Sequence, residues 1–127
     1  MAARVLVVDD EPDIASAIVD LAQASLPGVD TVTASCGAEA LERLREGRFD
    51  LIVTDVRMPG MSGFELLARA SAIAPGVPAI MMTAFPDLDT VLAAVNERRA
   101  RGFLMKPLEP ARLLGTMREA LLPQRCA

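Results

Sequence analysis

Leu51-Ile52-Val53-Thr54-Asp55-Val56-Arg57-Met58-Pro59-Gly60-Met61-Ser62-Gly63 is the stretch that decides how this chain folds. Its apolar opening, Leu51 to Val53, has the length and side chains of a buried strand, and it ends on a single carboxylate, Asp55. Met58-Pro59-Gly60 and Ser62-Gly63 then mark a tight loop, and Phe64-Glu65-Leu66-Leu67 opens a helix. Asp55 therefore falls at the C-terminal tip of a strand, facing a turn. In open parallel α/β sheets that rim is where ligands bind. Taken alone, an Asp there equally suits a turn or a helix cap, so the remaining strands have to decide.

Working outward, the same unit recurs. Val5-Leu6-Val7-Val8 is a β-branched apolar run ended by Asp9-Asp10-Glu11-Pro12, with a helix behind it striped by Ile14, Ile18, Leu21 and Ala22. Leu26-Pro27-Gly28 stops that helix. Thr31 to Ala34 reads as a second, more polar strand suited to a sheet edge, followed by a helix with Ala38, Leu41 and Leu44 on one face and Gly47 at its end. After Asp55 a helix runs through about residue 73. Pro78 to Met82 is a fourth strand ending at Thr83-Ala84, and Pro86 through about Arg99 carries a helical pattern with Leu88, Val91, Leu92 and Val95. Gly102 to Met105 is a fifth strand ending at Lys106-Pro107, and the last helix, opened by Glu109-Pro110, should bury Leu113, Leu114, Met117 and Leu121.

Five strand–helix units in strict alternation predict an α/β fold, a five-stranded parallel sheet doubly wound with helices on both faces. Right-handed crossovers leave few topologies, and the flavodoxin-like strand order 2-1-3-4-5 is the commonest. In that order the tips of strands one, three, four and five are neighbours. Asp9, Asp10, Asp55, Thr83 and Lys106 could then gather round one cleft. Three carboxylates so close would raise one another's pKa unless a cation neutralised them, and a hard divalent ion such as Mg²⁺ suits oxygen ligands. A lysine and a hydroxyl beside it are the parts needed to stabilise a transferring phosphoryl group, with an Asp as covalent acceptor.

These blocks, Val7-Val8-Asp9-Asp10-Glu11, Thr54 to Gly63, Met82-Thr83-Ala84 and Phe103-Leu104-Met105-Lys106-Pro107, resemble the receiver domain of bacterial response regulators. All four occur in order, and the resemblance covers about Arg4 to Leu122. It implies that Asp55 accepts a phosphoryl group from a histidine kinase or a histidine phosphotransfer protein. It implies that Asp10, Asp55 and the backbone carbonyl of Arg57 bind Mg²⁺, with Asp9 reaching the ion directly or through water. Thr83 and Phe103 match the family's switch pair, the hydroxyl moving towards the phosphoryl group and the ring turning inward behind it. The surface of the fourth helix, fifth strand and fifth helix then repacks, and that face is a candidate for homodimer formation. On this reading residues 1–123 are the receiver domain and 124–127 a short tail, with no output domain in these residues. The chain would be no enzyme beyond assisting its own phosphorylation and dephosphorylation.

Two positions depart from the family pattern: Arg57 is basic two residues after the acceptor, and Phe85 is bulky and apolar two residues after Thr83. In the family these positions influence how fast the phosphoryl group is lost to water, so Phe85 is expected to shield it. Arg57 also argues against a phosphatase of the haloacid dehalogenase type, which places a second Asp there as general acid. A receiver fold used only for contacts would usually have lost one of the acidic residues or the lysine, and all are present. With no Trp or Tyr, a flavodoxin-like FMN site lacks the rings that sandwich the flavin.

Composition agrees and excludes more. The chain has 127 residues, 52% of them hydrophobic, enough for one domain with a core. Thirteen basic against 17 acidic residues give a net charge of −4, which offers nucleic acid no electrostatic footprint. Histidine is absent, which removes His-based triads, His-liganded zinc and any phosphohistidine role. Cys36, near a helix start, and Cys126, in the tail, read as free thiols. No apolar run approaches the roughly 20 residues of a membrane span, and the N-terminal apolar run reads as a strand instead of a signal peptide, so a cytoplasmic location is expected.

Overall fold

Period-two alternation along the strands divides the interior into two layers. A computed structural model describes residues 3–122. In chain order the elements are β1 (Ala3–Val8), α1 (Pro12–Ser25), β2 (Val29–Ala34), α2 (Gly37–Glu46), β3 (Leu51–Asp55), α3 (Gly63–Ile73), β4 (Ala79–Thr83), α4 (Leu88–Asn96), β5 (Ala100–Met105) and α5 (Pro110–Leu121). All strand pairings are parallel, and the sheet order is β2-β1-β3-β4-β5, as expected. Leu6, Val8, Ile52 and Met81 point to one face, where Leu41, Leu44, Leu66 and Leu67 of α2 and α3 cover them. Their neighbours Val5, Val7, Val53, Ile80 and Met82 point to the other, under Ile18 and Ala22 of α1 and Leu113 and Met117 of α5. Strands buried on both faces cannot alternate with polar residues, which is why β1, β3 and β4 are near-continuous apolar runs.

The ends of the elements follow local chemistry. Pro12 occupies the first turn of α1, Cys36 is the N-cap residue of α2, and Ser62 caps α3 by accepting the Glu65 N–H at 3.2 Å. Cys36 is a half-buried free thiol; Cys126 and the tail 124–127 lie outside the described residues. In α5, Leu113 and Met117 are buried, while Leu114 and Leu121 are only half-buried. In α2 the small buried residue is Ala40, and Ala38 is exposed.

The fourth unit differs from the sequence reading. Asp87 caps α4, so the helix begins at Leu88. It ends at Asn96 because the sheet claims the residues beyond: the Ala79 N–H donates to the Arg99 carbonyl at 2.8 Å and β5 starts at Ala100. The apolar stripe of this helix faces outward, with Leu88 71%, Leu92 51% and Val95 76% exposed, while Thr90 and Ala94 are buried. Of Arg98, Arg99 and Arg101, which follow the helix, Arg99 is used internally. Arg99 donates to the Leu67 carbonyl at 2.7 Å and to the Ser71 hydroxyl, bracing α3.

Candidate functional site

Asp55 ends β3 and is 6% exposed. Its place is set by the backbone on either side. The Val56 N–H donates to the Met82 carbonyl and the Gly63 N–H to the Val56 carbonyl, both at 2.8 Å, so the loop between β3 and α3 closes on itself. Gly60 supplies the positive φ, +82°, that this turn requires. Gly63 is needed for a different reason, since a Cβ there would run into the Asp55 carbonyl oxygen and within 3.1 Å of Val56 Cα. The first turn of α3 thus packs directly on the end of β3 that carries Asp55.

The other polar residues arrive from the neighbouring tips. Asp9, 2% exposed, follows β1 and accepts the Glu11 N–H at 2.9 Å; Asp10 is exposed beside it. Lys106 follows β5, its N–H donating to the Thr83 carbonyl at 2.8 Å, and the next peptide bond, to Pro107, is cis. From there its side chain passes the tip of β4 and places Nζ 2.9 Å from Asp9 Oδ2 and 2.9 Å from Asp55 Oδ2. Glu11 Oε1 is 3.6 Å from the same nitrogen. Thr83 is fully buried, and its Oγ1 accepts the Phe85 N–H at 3.0 Å. Phe103 is half-buried against the α2–α3 layer, beside a cleft of about 230 Å³ that Val91, Ala94 and Val95 of α4 also line.

One ammonium shared by two buried carboxylates makes the electrostatics lopsided. Burial alone would lower the Lys106 pKa, but hydrogen bonds and charges from Asp55 and Asp9 together outweigh it, and the ammonium is held above its ordinary value. For Asp55 burial is the largest influence and raises the carboxyl pKa; Lys106 opposes this, and the Asp9 charge adds to it. The cluster is therefore short of positive charge. Carboxylate oxygens of Asp9, Asp10, Glu11 and Asp55 come within 4.8 Å of one another, an all-oxygen donor set that suits a hard divalent cation.

The sequence reading expected Asp9, Asp10, Asp55 and Lys106 round one cleft, and the structure brings them together, with Thr83 at the adjoining tip. That reading omitted Glu11, whose only signal is that it comes directly after the paired aspartates. It also did not foresee the partner of Arg57, whose N–H donates to Asp55 Oδ1 at 3.3 Å and whose guanidinium pairs with Asp87. Asp87 is held below the ordinary carboxylate range, first by the Thr90 N–H and hydroxyl and then by Arg57. Phe85 is 64% exposed, with the Arg57 guanidinium carbon 5.6 Å from its ring centroid.

Sheet order, strand-tip carboxylates and bridging lysine together define a class, and comparison with known proteins gives it a family. Residues 5–118 match the family described as the response regulator receiver domain. The transcriptional regulatory protein ZraR of Klebsiella oxytoca is 37% identical over 121 residues, which are 95% of this chain and 27% of that protein. The DNA-binding response regulator MtrA of Mycolicibacterium smegmatis is 37% identical over 122 residues, 95% of this chain and 51% of that one. A CheY-like response regulator receiver domain protein from Methanospirillum hungatei superimposes with a TM-score of 0.86 at 30% identity, covering 95% of this chain and 94% of that chain. The chain belongs to the receiver domain family of response regulators, the signalling proteins of two-component systems. It spans about a quarter to a half of the curated relatives it matches. Among the described residues no helix is long and apolar enough to cross a membrane.

Proposed function

We propose that this chain is a phospho-acceptor switch, taking a phosphoryl group onto Asp55 from the phosphohistidine of a kinase or phosphotransfer protein. The observation that carries this reading is the Lys106 ammonium held 2.9 Å from both Asp9 and Asp55 at the rim of a parallel sheet. In the transfer an Asp55 carboxylate oxygen forms the new P–O bond, the P–N bond to the donor imidazole breaks, and its electron pair stays on that nitrogen. Lys106 then exchanges one of its carboxylate partners for a phosphoryl oxygen, and the Thr83 hydroxyl donates to another. Asp10, Asp55 and the Arg57 backbone carbonyl, with Asp9 directly or through water, would hold Mg²⁺, which supplies charge neutralisation for the phosphoryl oxygens.

Movement of Thr83 towards the phosphoryl group and of Phe103 into the space behind it would repack α4, β5 and α5. Exposed Leu88, Leu92, Val95 and Met105 support that face as the one read by a partner or by a second copy of the chain. The chain itself contacts no nucleic acid or membrane, works in the cytoplasm, and catalyses nothing beyond its own phosphorylation and dephosphorylation.

Intact mass after incubation with acetyl phosphate and Mg²⁺ tests the proposal. One added phosphoryl group is expected, absent with EDTA and absent in Asp55→Asn. No addition from acetyl phosphate or from a panel of phosphorylated histidine kinases would leave a receiver fold used only for binding.

A further inference from the structure

At the mouth of the acceptor cleft, loops from two neighbouring strands are tied by side chains that phosphoryl transfer leaves idle. Arg57, in the β3–α3 loop, pairs through its guanidinium with Asp87 in the β4–α4 loop and lies over the Phe85 ring. One end of this tie is anchored on the acceptor through the Arg57 N–H to Asp55 Oδ1. The other is anchored on α4, because Asp87 Oδ1 caps the helix by accepting the Thr90 N–H at 2.8 Å. From Asp87 the contacts continue to the switch hydroxyl: the Asp87 N–H donates to the Phe85 carbonyl at 2.9 Å, and the Phe85 N–H to Thr83 Oγ1 at 3.0 Å. A groove of about 580 Å³ separates Arg57 and Met58 on the loop from Thr90 and Ala93 on α4.

We propose that the Arg57–Asp87 pair is a latch that keeps the β4–α4 loop and α4 in their resting arrangement. Arg57 is then a positioning residue that sets how readily Asp55 accepts the phosphoryl group. The inference rests on the phospho-acceptor reading. For the Thr83 hydroxyl to approach a phosphoryl group, its oxygen must leave the Phe85 N–H or carry Phe85 with it. The second movement draws Asp87, bonded to Phe85 through its N–H, away from its place beside Arg57; the first removes the Thr83 contact that holds this loop from its other end. A contact made in one arrangement only biases the equilibrium towards it by the contact's own free energy. Both partners are about half exposed, so that bias is small, open to screening by salt, and suited to adjusting a switch without locking it.

Four variants of the full chain test this: Arg57→Gln, Asp87→Asn, their double, and Arg57→Lys. Asn caps helices as well as Asp does, so Asp87→Asn removes the ion pair and keeps the cap. Without any phosphoryl donor, amide exchange over residues 84–92 should quicken about two- to fivefold in each single variant, the size an exposed ion pair can supply. The double variant should be no faster than either single, and Arg57→Lys should restore part of the protection. Initial incorporation from acetyl phosphate and Mg²⁺ should rise by a similar factor in the same three variants. Exchange equal to the parent's in the single variants, or effects that add in the double, would overturn the latch. A parent that takes up no phosphoryl group either from acetyl phosphate or from a panel of phosphorylated histidine kinases defeats the phospho-acceptor reading and the latch's role in uptake with it. The exchange data would then still report whether the loops are tied.

Discussion

Asp55 carries the sharpest consequence at the scale of single residues. Burial first, and the Asp9 charge with it, hold its carboxyl above the ordinary 3.8 even though Lys106 pulls downward. A folded-state pKa above the unfolded one means that the native state binds more protons between the two values. Stability linked to this group is therefore fully present below 3.8 and is lost as pH rises through the higher folded value. With EDTA present, the urea midpoint of the parent minus that of Asp55→Asn should fall as pH rises above 3.8. A difference that stays flat or grows over that range would contradict a raised pKa. Residue identity made this carboxylate visible, since an acid at a strand tip before Pro and Gly is a local pattern. Its sharing of one ammonium with Asp9 was not visible, because Lys106 is 51 residues away from Asp55 and 97 from Asp9.

Among the elements, α3 and α5 offer a contrast built on glycine. Gly63 opens α3 against the Asp55 carbonyl and Val56 Cα, both backbone, so neither can rotate away from an added methyl group. Gly63→Ala should cost about 1–3 kcal/mol as the helix start is pushed off the end of β3. Gly115 lies within α5, and a Cβ there meets nothing within 4 Å. Gly115→Ala should gain up to about 1 kcal/mol from helix propensity alone. Denaturation curves of the two variants should move in opposite directions. A gain in stability from Gly63→Ala would show that the close approach at Gly63 is not maintained in solution. Ser62-Gly63 was readable as a loop ending in a helix start, but steric exclusion by the strand before it is a tertiary fact.

Over the whole molecule, burial is unevenly shared. Two apolar layers bind α1 and α5 to one face and α2 and α3 to the other, whereas α4 contributes only Thr90 and Ala94 as buried residues. Helices with few buried apolar side chains open locally at low free-energy cost. Amides of α4 should therefore exchange faster than those of α1 and α5. Leu92→Ala should change stability by no more than about 0.5 kcal/mol, while Leu67→Ala, removing a buried side chain, should cost about 2–5 kcal/mol. A large loss at Leu92 would mean that its helix face is covered.

Five strands, five helices, the parallel sheet and the residues at its carboxyl rim came from the sequence by itself. Apolar runs, turn residues and caps act over a few positions, and strand order 2-1-3-4-5 needed only their alternation and the handedness of crossovers. Tertiary structure alone decided the rest. The stripe Leu88, Leu92 and Val95 has helical spacing, but spacing cannot say whether a face meets the core or solvent, and here the sheet is already covered by other helices. Arg99 closes the helical pattern in the sequence, but in the fold its carbonyl accepts the Ala79 N–H and its side chain reaches α3. Arg57 and Asp87 are 30 residues apart, and only the adjacency of β3 and β4 makes them partners. Long-range charge pairing depends on which strand tips end side by side, and packing of the whole chain determines that.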